Sequence, residues 1–156
     1  LVVRVRIRVS HGGRSVTAVV LVNSSAESDE PTVVLRPEVA EELGLPLDSF
    51  DIVEVELASG RTHSLISKER VRVELLDEEG RVLSSTSAYL VVDEDLTEPL
   101  ITDATIDELG IVVLSFKRGL WRHVSDPPSV IRRSATPSSR CSGRSRRGED
   151  RPSYCG

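Results

Sequence analysis

Between Val3 and Val9 the chain alternates without a break, with Val3, Val5, Ile7 and Val9 on one side and Arg4, Arg6 and Arg8 on the other. A period of two belongs to an extended strand with one wet face. His11-Gly12-Gly13-Arg14 follows as a turn, since glycine accepts positive φ, and residues 16–22 return as a strand apolar enough on both faces to be central. The hairpin delivers Asn23-Ser24-Ser25-Ala26 to its tip, where small polar residues abruptly replace aliphatic ones. A buried strand that stops at such a turn can hold a site on a rigid scaffold.

The rest of the chain keeps to short strands. Residues 24–30 are polar loop, and Pro31 and Pro37 bracket an extended Val33-Val34-Leu35. Pro37 suits the first helical position, Glu38 and Glu41 favour the positive helix end, and Gly44 is a stop. Residues 51–57 alternate, Ala58-Ser59-Gly60-Arg61 turns, and residues 62–66 return. Residues 71–75 form another strand, Asp77-Glu78-Glu79-Gly80 a turn, and residues 82–92 one bent strand or two joined ones. Past the acidic loop Asp93-Glu94-Asp95 come Pro99-Leu100-Ile101, a short helix over residues 102–109 stopped by Gly110, and two strands ending near His123. This pattern predicts an all-β, barrel-like fold with two short helices.

Two stretches share an order of elements. Residues 33–45 run from apolar strand through short helix to Glu42-Leu43-Gly44-Leu45, and residues 100–111 do the same to Glu108-Leu109-Gly110-Ile111. Each follows a strong strand and a polar loop, which implies an internal pseudo-repeat of two related halves.

Composition divides the chain at residue 123. Up to that point there are 13 Lys+Arg against 22 Asp+Glu, and beyond it 7 against 3. Residues 1–123 read as one acidic domain with an aliphatic core, and residues 124–156 as a disordered basic tail rich in Ser, Arg and Pro. The tail is the one place where nucleic acid could bind, although it lacks interleaved aromatics, and a third reading would locate the protein's function there. Cys141 and Cys155 read as free tail thiols. No apolar run reaches membrane-spanning length and the first residues lack a signal-type apolar core, so the expectation is a cytoplasmic protein. His11, His63 and His123 have no ligand spacing, so no metal is expected, and no phosphate loop or serine elbow points to a cofactor or a triad.

The strand-then-turn at residues 18–26, the helix ending Glu42-Leu43-Gly44-Leu45, and Pro99-Leu100-Ile101-Thr102 together resemble a retropepsin-like aspartic protease domain. The likeness spans residues 3–123 and implies a closed β-barrel, with the pseudo-repeat as the family's approximate duplication. In that family an apolar strand leads into Asp-Thr/Ser-Gly-Ala/Ser. Here Asn23 stands at the acid, Ser24 keeps the hydroxyl that ties two turns together, Ser25 stands at the glycine, and Ala26 matches. Thr102 stands at a second glycine, with Asp103 beside it. The resemblance makes Ala58, Ser59, Gly60 and Arg61 a flap over a peptide groove, and it implies a homodimer with one catalytic position from each copy.

Aspartic peptidases need two carboxylates sharing a proton, and an amide neither titrates near neutrality nor acts as a general base. Two asparagines at a dimer axis would instead bond to each other with no charge buried. The expectation is therefore a homodimeric peptide- or protein-binding module without peptidase activity. The alternative is an active aspartic endopeptidase using a non-standard acid, drawn from Asp29 or Asp103, each of which otherwise reads as a helix cap or a solvated loop residue. Deamidation of Asn23-Ser24 would also create an acid, against which stands the expectation that the turn is buried. Asn23-Ser24-Ser25 also fits a glycosylation sequon, which needs secretion and an exposed loop.

Overall fold

The alternation at the start of the chain becomes β1 (Arg4–His11) in a computed structural model that describes residues 2–57 and 60–137. Val5, Ile7 and Val9 are buried, and β2 (Arg14–Val22) pairs antiparallel with β1 from Arg4↔Leu21 to His11↔Arg14. The chain continues through β3 (Thr32–Leu35), α1 (Glu38–Glu42), a 3-10 turn (Leu47–Ser49), β4 (Asp51–Leu57), β5 (Gly60–Leu76) and β6 (Val82–Val92). It ends with β7 (Leu100–Ile101), α2 (Asp103–Leu109), β8 (Ile111–Ser115), β9 (Leu120–His123) and β10 (Arg132–Arg133). The protein is mostly β, as the short-strand pattern predicts.

One sheet runs β1-β2-β7-β3-β6-β5-β4, and β1 also pairs with β5 from Arg6↔Leu76 to Ser10↔Arg72. Each of β1, β2, β7, β3, β6 and β5 therefore has a partner on both sides along part of its length. The two stretches alike in sequence interlock. β2 lies parallel to β7, with Leu21 beside Leu100 and Val22 beside Ile101, while β3 lies parallel to β6 over residues 32–35. β3 and β7 then pair antiparallel, Val33 beside Ile101. The central strand residues, together with Leu43 just past α1 and Leu109 of α2, fill a core in which Ile7, Leu35, Leu75, Leu90 and Ile101 are all but inaccessible. Each such side chain contributes about 1.5–3 kcal/mol by leaving water.

The expected pair of strands over residues 62–66 and 71–75 is a single strand, β5. Polar Ser67-Lys68-Glu69 suggests an interruption, but the register merely shifts between Ile66 and Arg70. There the Ser67 hydroxyl replaces the missing rungs, accepting from Leu90 N at 3.0 Å and donating to Glu69 O at 2.7 Å. β5 runs long because one edge serves β4 over residues 60–66 and β1 over residues 72–76, while the other edge follows β6.

The expected domain end at residue 123 is also corrected. β8, β9 and β10 form a second sheet, in the order β10-β9-β8, and the chain beyond it returns to β1. Ser134 N donates to Gly119 O at 2.7 Å and Ala135 N to Arg4 O at 2.8 Å, while Arg4 N donates to Ser134 Oγ at 2.8 Å. The cause is polar anchoring, which hydropathy does not register. Asp126 accepts from His123 N and from two guanidinium nitrogens of Arg132, all at 2.8 Å, and that guanidinium lies 5.7 Å from the centre of the Trp121 ring. Residues 138–156, with Cys141 and Cys155, lie outside the described residues.

Gly44 and Gly110 both follow helices with left-handed φ, 74° and 73°, but their surroundings differ. A Cβ at Gly44 would come no nearer than 3.6 Å to its closest neighbour, the Arg14 side chain, whereas one at Gly110 would lie 2.8 Å from Val124 Cγ1 and 3.0 Å from His123 Nε2. Gly44→Ala is expected to cost about 1–2 kcal/mol, and Gly110→Ala measurably more, in denaturant unfolding. Equal losses would contradict the packing of Val124 against α2.

The bonds from Arg132 first, then the His123 N–H, hold the Asp126 carboxyl down to about 2 from 3.8, against the opposing pull of burial. A depressed carboxylate adds stability above its ordinary value and loses it as pH falls through the folded one. Asp126→Asn should therefore cost about 1–2 kcal/mol at neutral pH. The gap between variant and parent should close between pH 3.8 and about 2 in a pH series of melts. A gap constant down to the lower limit would refute the ion pair.

Candidate functional site

β2 ends at Val22, and its parallel neighbour carries the ladder one residue further: Leu21 N donates to Pro99 O at 2.9 Å and Asn23 N to Ile101 O at 3.3 Å. Asn23 is thus fixed by its backbone beside the start of α2. Its side chain folds back on its own turn. Ser25 N and Ser25 Oγ both donate to Asn23 Oδ1, at 3.2 and 2.7 Å, and Ala26 N donates to Asn23 O at 3.1 Å. Asparagine favours such turns because its carbonyl mimics the backbone's.

The turn is not buried, contrary to expectation. Ser24 and Ser25 are exposed and Asn23 and Ala26 half-buried among the described residues. No hydrogen bond from the Ser24 hydroxyl occurs among the described residues, so its expected tie between two turns is not made among them.

Thr102 and Asp103 do meet the loop that follows the tip. Asp103 N donates to Ala26 O at 2.9 Å, and Asp103 Oδ1 accepts from Ser28 N at 3.0 Å and Ala104 N at 2.7 Å. That carboxylate organises loop and helix start. Thr102 caps α2 by backbone conformation, and its Oγ1 lies 2.7 Å from Ser28 Oγ and 3.1 Å from Thr105 Oγ1. Thr105 is fully buried, accepting from Thr32 N at 2.7 Å and donating to Thr32 O at 2.8 Å. Each hydroxyl has one proton, and one assignment satisfies all three: Thr105 donates to Thr32 O, Thr102 to Ser28 Oγ, and Ser28 to Glu30 O at 2.7 Å. This chain welds the loop to β3 and α2.

Ser28, Thr32 and Thr105 are the residues the sequence reading missed. The signal was present, as hydroxyls at Thr102 and Thr105 stand three apart at a helix start, the spacing that lets both face one loop.

Around the tip the surface carries Glu27, Asp29 and Glu30, all exposed; Glu30 pairs with Arg70 at 2.9 Å, and Arg70 lies over the Tyr89 ring at 4.6 Å. The β4–β5 hairpin joins Leu57 and Gly60 through two residues, and those two, Ala58 and Ser59, lie outside the described residues. Gly60 has a φ of 125°, open to glycine and strained for other residues, and Arg61 stands opposite Glu56 in the ladder. The structure thus joins Asn23, Ser24, Ser25 and Ala26 with Thr102 and Asp103, and does not bring Gly60 into hydrogen-bonded contact with them among the described residues.

Among the described residues no group of His, Cys, Asp and Glu could hold a metal ion, and no helix is long and apolar enough to cross a membrane. Set against models of protein families the chain matches none, and it matches no curated protein.

Thr105→Val should leave the buried Thr32 N–H without its acceptor and cost about 1–3 kcal/mol in denaturant unfolding, whereas Thr105→Ser should recover most of that loss. A Thr105→Val variant as stable as the parent would show that the hydroxyl does not hold Thr32.

Proposed function

We propose that the chain is a retropepsin-like domain that acts as a homodimeric peptide- or protein-binding module and does not cleave peptides. The observation that carries this reading is Asn23, an amide at the tip of β2, fixed beside the start of α2 where the resemblance puts an acid. Such a side chain can donate and accept, but it cannot take a proton from water at neutral pH. The reading takes the run of pairings that leads from β1 back to β1 as a closed barrel, and the β4–β5 hairpin as its flap.

The nearby carboxylates give the peptidase alternative no support. Asp103 already accepts two backbone N–H bonds that organise the loop, and Asp29 is an exposed loop residue. For the dimer, β8 offers an edge unpaired among the described residues, and Val112 and Leu114 fall on its outward face with exposed Phe116 just beyond. Pairing of two such edges would extend the sheet across a twofold axis and cover those apolar side chains.

Freshly prepared protein, its intact mass confirming an unconverted Asn23, should bind members of a peptide library and cut none at acidic or neutral pH. Cleavage by that material would overturn the reading. An Asn23→Asp, Ser25→Gly variant that cuts would support the scaffold assignment. Sedimentation should find a dimer that Leu114→Glu dissociates, and a monomer at every concentration refutes the homodimer.

A further inference from the structure

We propose that Asn23 is a self-modifying position, at which the folded turn promotes conversion of the amide to a carboxylate through a succinimide. The proposal stands on the geometry of the turn and does not depend on the retropepsin-like reading. Three observations meet here. The turn is open to solvent, with Ser24 and Ser25 exposed. The amide carbonyl is polarised by two donors, Ser25 N at 3.2 Å and Ser25 Oγ at 2.7 Å, both on Oδ1. The attacking group is unengaged, because the Ser24 N–H has no hydrogen-bond acceptor among the described residues.

The step balances with water as the only co-reactant. The Ser24 backbone nitrogen gives up its proton to solvent hydroxide and attacks Asn23 Cγ, forming an N–Cγ bond and placing negative charge on Oδ1. The two Ser25 donors face that developing oxyanion, as donors do in an oxyanion hole. Collapse breaks the Cγ–Nδ2 bond, and the leaving nitrogen takes a proton from water and departs as ammonia. Water then opens the five-membered ring at either carbonyl, giving aspartate or its iso form. The net change is amide plus water to acid plus ammonia.

Ser24 is small and unbranched at Cβ, so it does not shield its own nitrogen. The same Ser25 donors would bond the product carboxylate and favour its charged form. If the retropepsin-like reading is right, the folded chain acquires with age the acid that its encoded sequence omits.

The sequence makes the test direct. Asn23 is the only asparagine of the 156 residues and there is no glutamine, so an amide-to-acid mass gain of the intact protein reports on this side chain. The full chain, incubated at mildly alkaline pH with its fold monitored by circular dichroism, should gain that mass at least as fast as a free peptide covering residues 20–27. Ser25→Ala should slow the gain about fivefold, the factor one ordinary net hydrogen bond supplies, while Ser25→Thr, which keeps the hydroxyl, should not. Asn23→Asp should show no gain. A folded protein that converts more slowly than the peptide, or a Ser25→Ala variant that converts at the parent rate, would overturn the proposal. Because the readout is mass, it is independent of whether any form of the protein binds or cuts peptides.

Discussion

Two short parallel ladders carry the architecture: Leu21 and Val22 beside Leu100 and Ile101, and residues 32–35 beside residues 89–92. Parallel neighbours cannot be joined by a hairpin, so each ladder must combine segments far apart in sequence. Here each takes one strand from the first half of the chain, β2 or β3, and one from the second, β7 or β6. Neither half can bury its apolar strand unless the other is in place, and the two loops that leave these strands are forced together. The meeting of Asn23 with Thr102 and Asp103 follows from this pairing rather than from any attraction among those side chains.

What the sequence reveals is whatever apolar spacing encodes. Val3, Val5, Ile7 and Val9 announce a strand, and Leu43-Gly44 and Leu109-Gly110 announce two helix ends that the structure contains, with Gly110 at a φ of 73°. Most of the strands and the tip at Asn23 were legible on those grounds. Illegible were the features held by polar bonds. Ser67 bridges the shift in β5, Thr105 holds Thr32, and Asp126 with Arg132 anchors the chain beyond β9, yet in sequence each looks like solvated loop or an ordinary helix residue. Exposure of the tip was misjudged for a related reason: a strand can be buried along its length and still end in water.

The molecule thus combines two kinds of cement. Its larger sheet is joined by aliphatic side chains, which tolerate substitutions that keep volume and shape. The second sheet and the loop after the tip depend on hydroxyls, carboxylates and one guanidinium, where direction matters and loss of a single atom leaves a partner unsatisfied. The candidate site is built with the second kind, close to a core made from the first.

The return of residues 134 and 135 to Arg4 also bears on the order in which the fold can be completed. Arg4 and Ser134 are bonded across 130 positions of chain. At roughly 5–20 residues per second of synthesis, the first strand waits on the order of ten seconds for its last backbone partners. During that interval β1 has its hairpin with β2 but neither Ser134 nor Ala135 at Arg4. The outer Arg4, Arg6 and Arg8, strung along that strand, are charges of the kind that discourage a waiting edge from pairing with a neighbouring nascent chain.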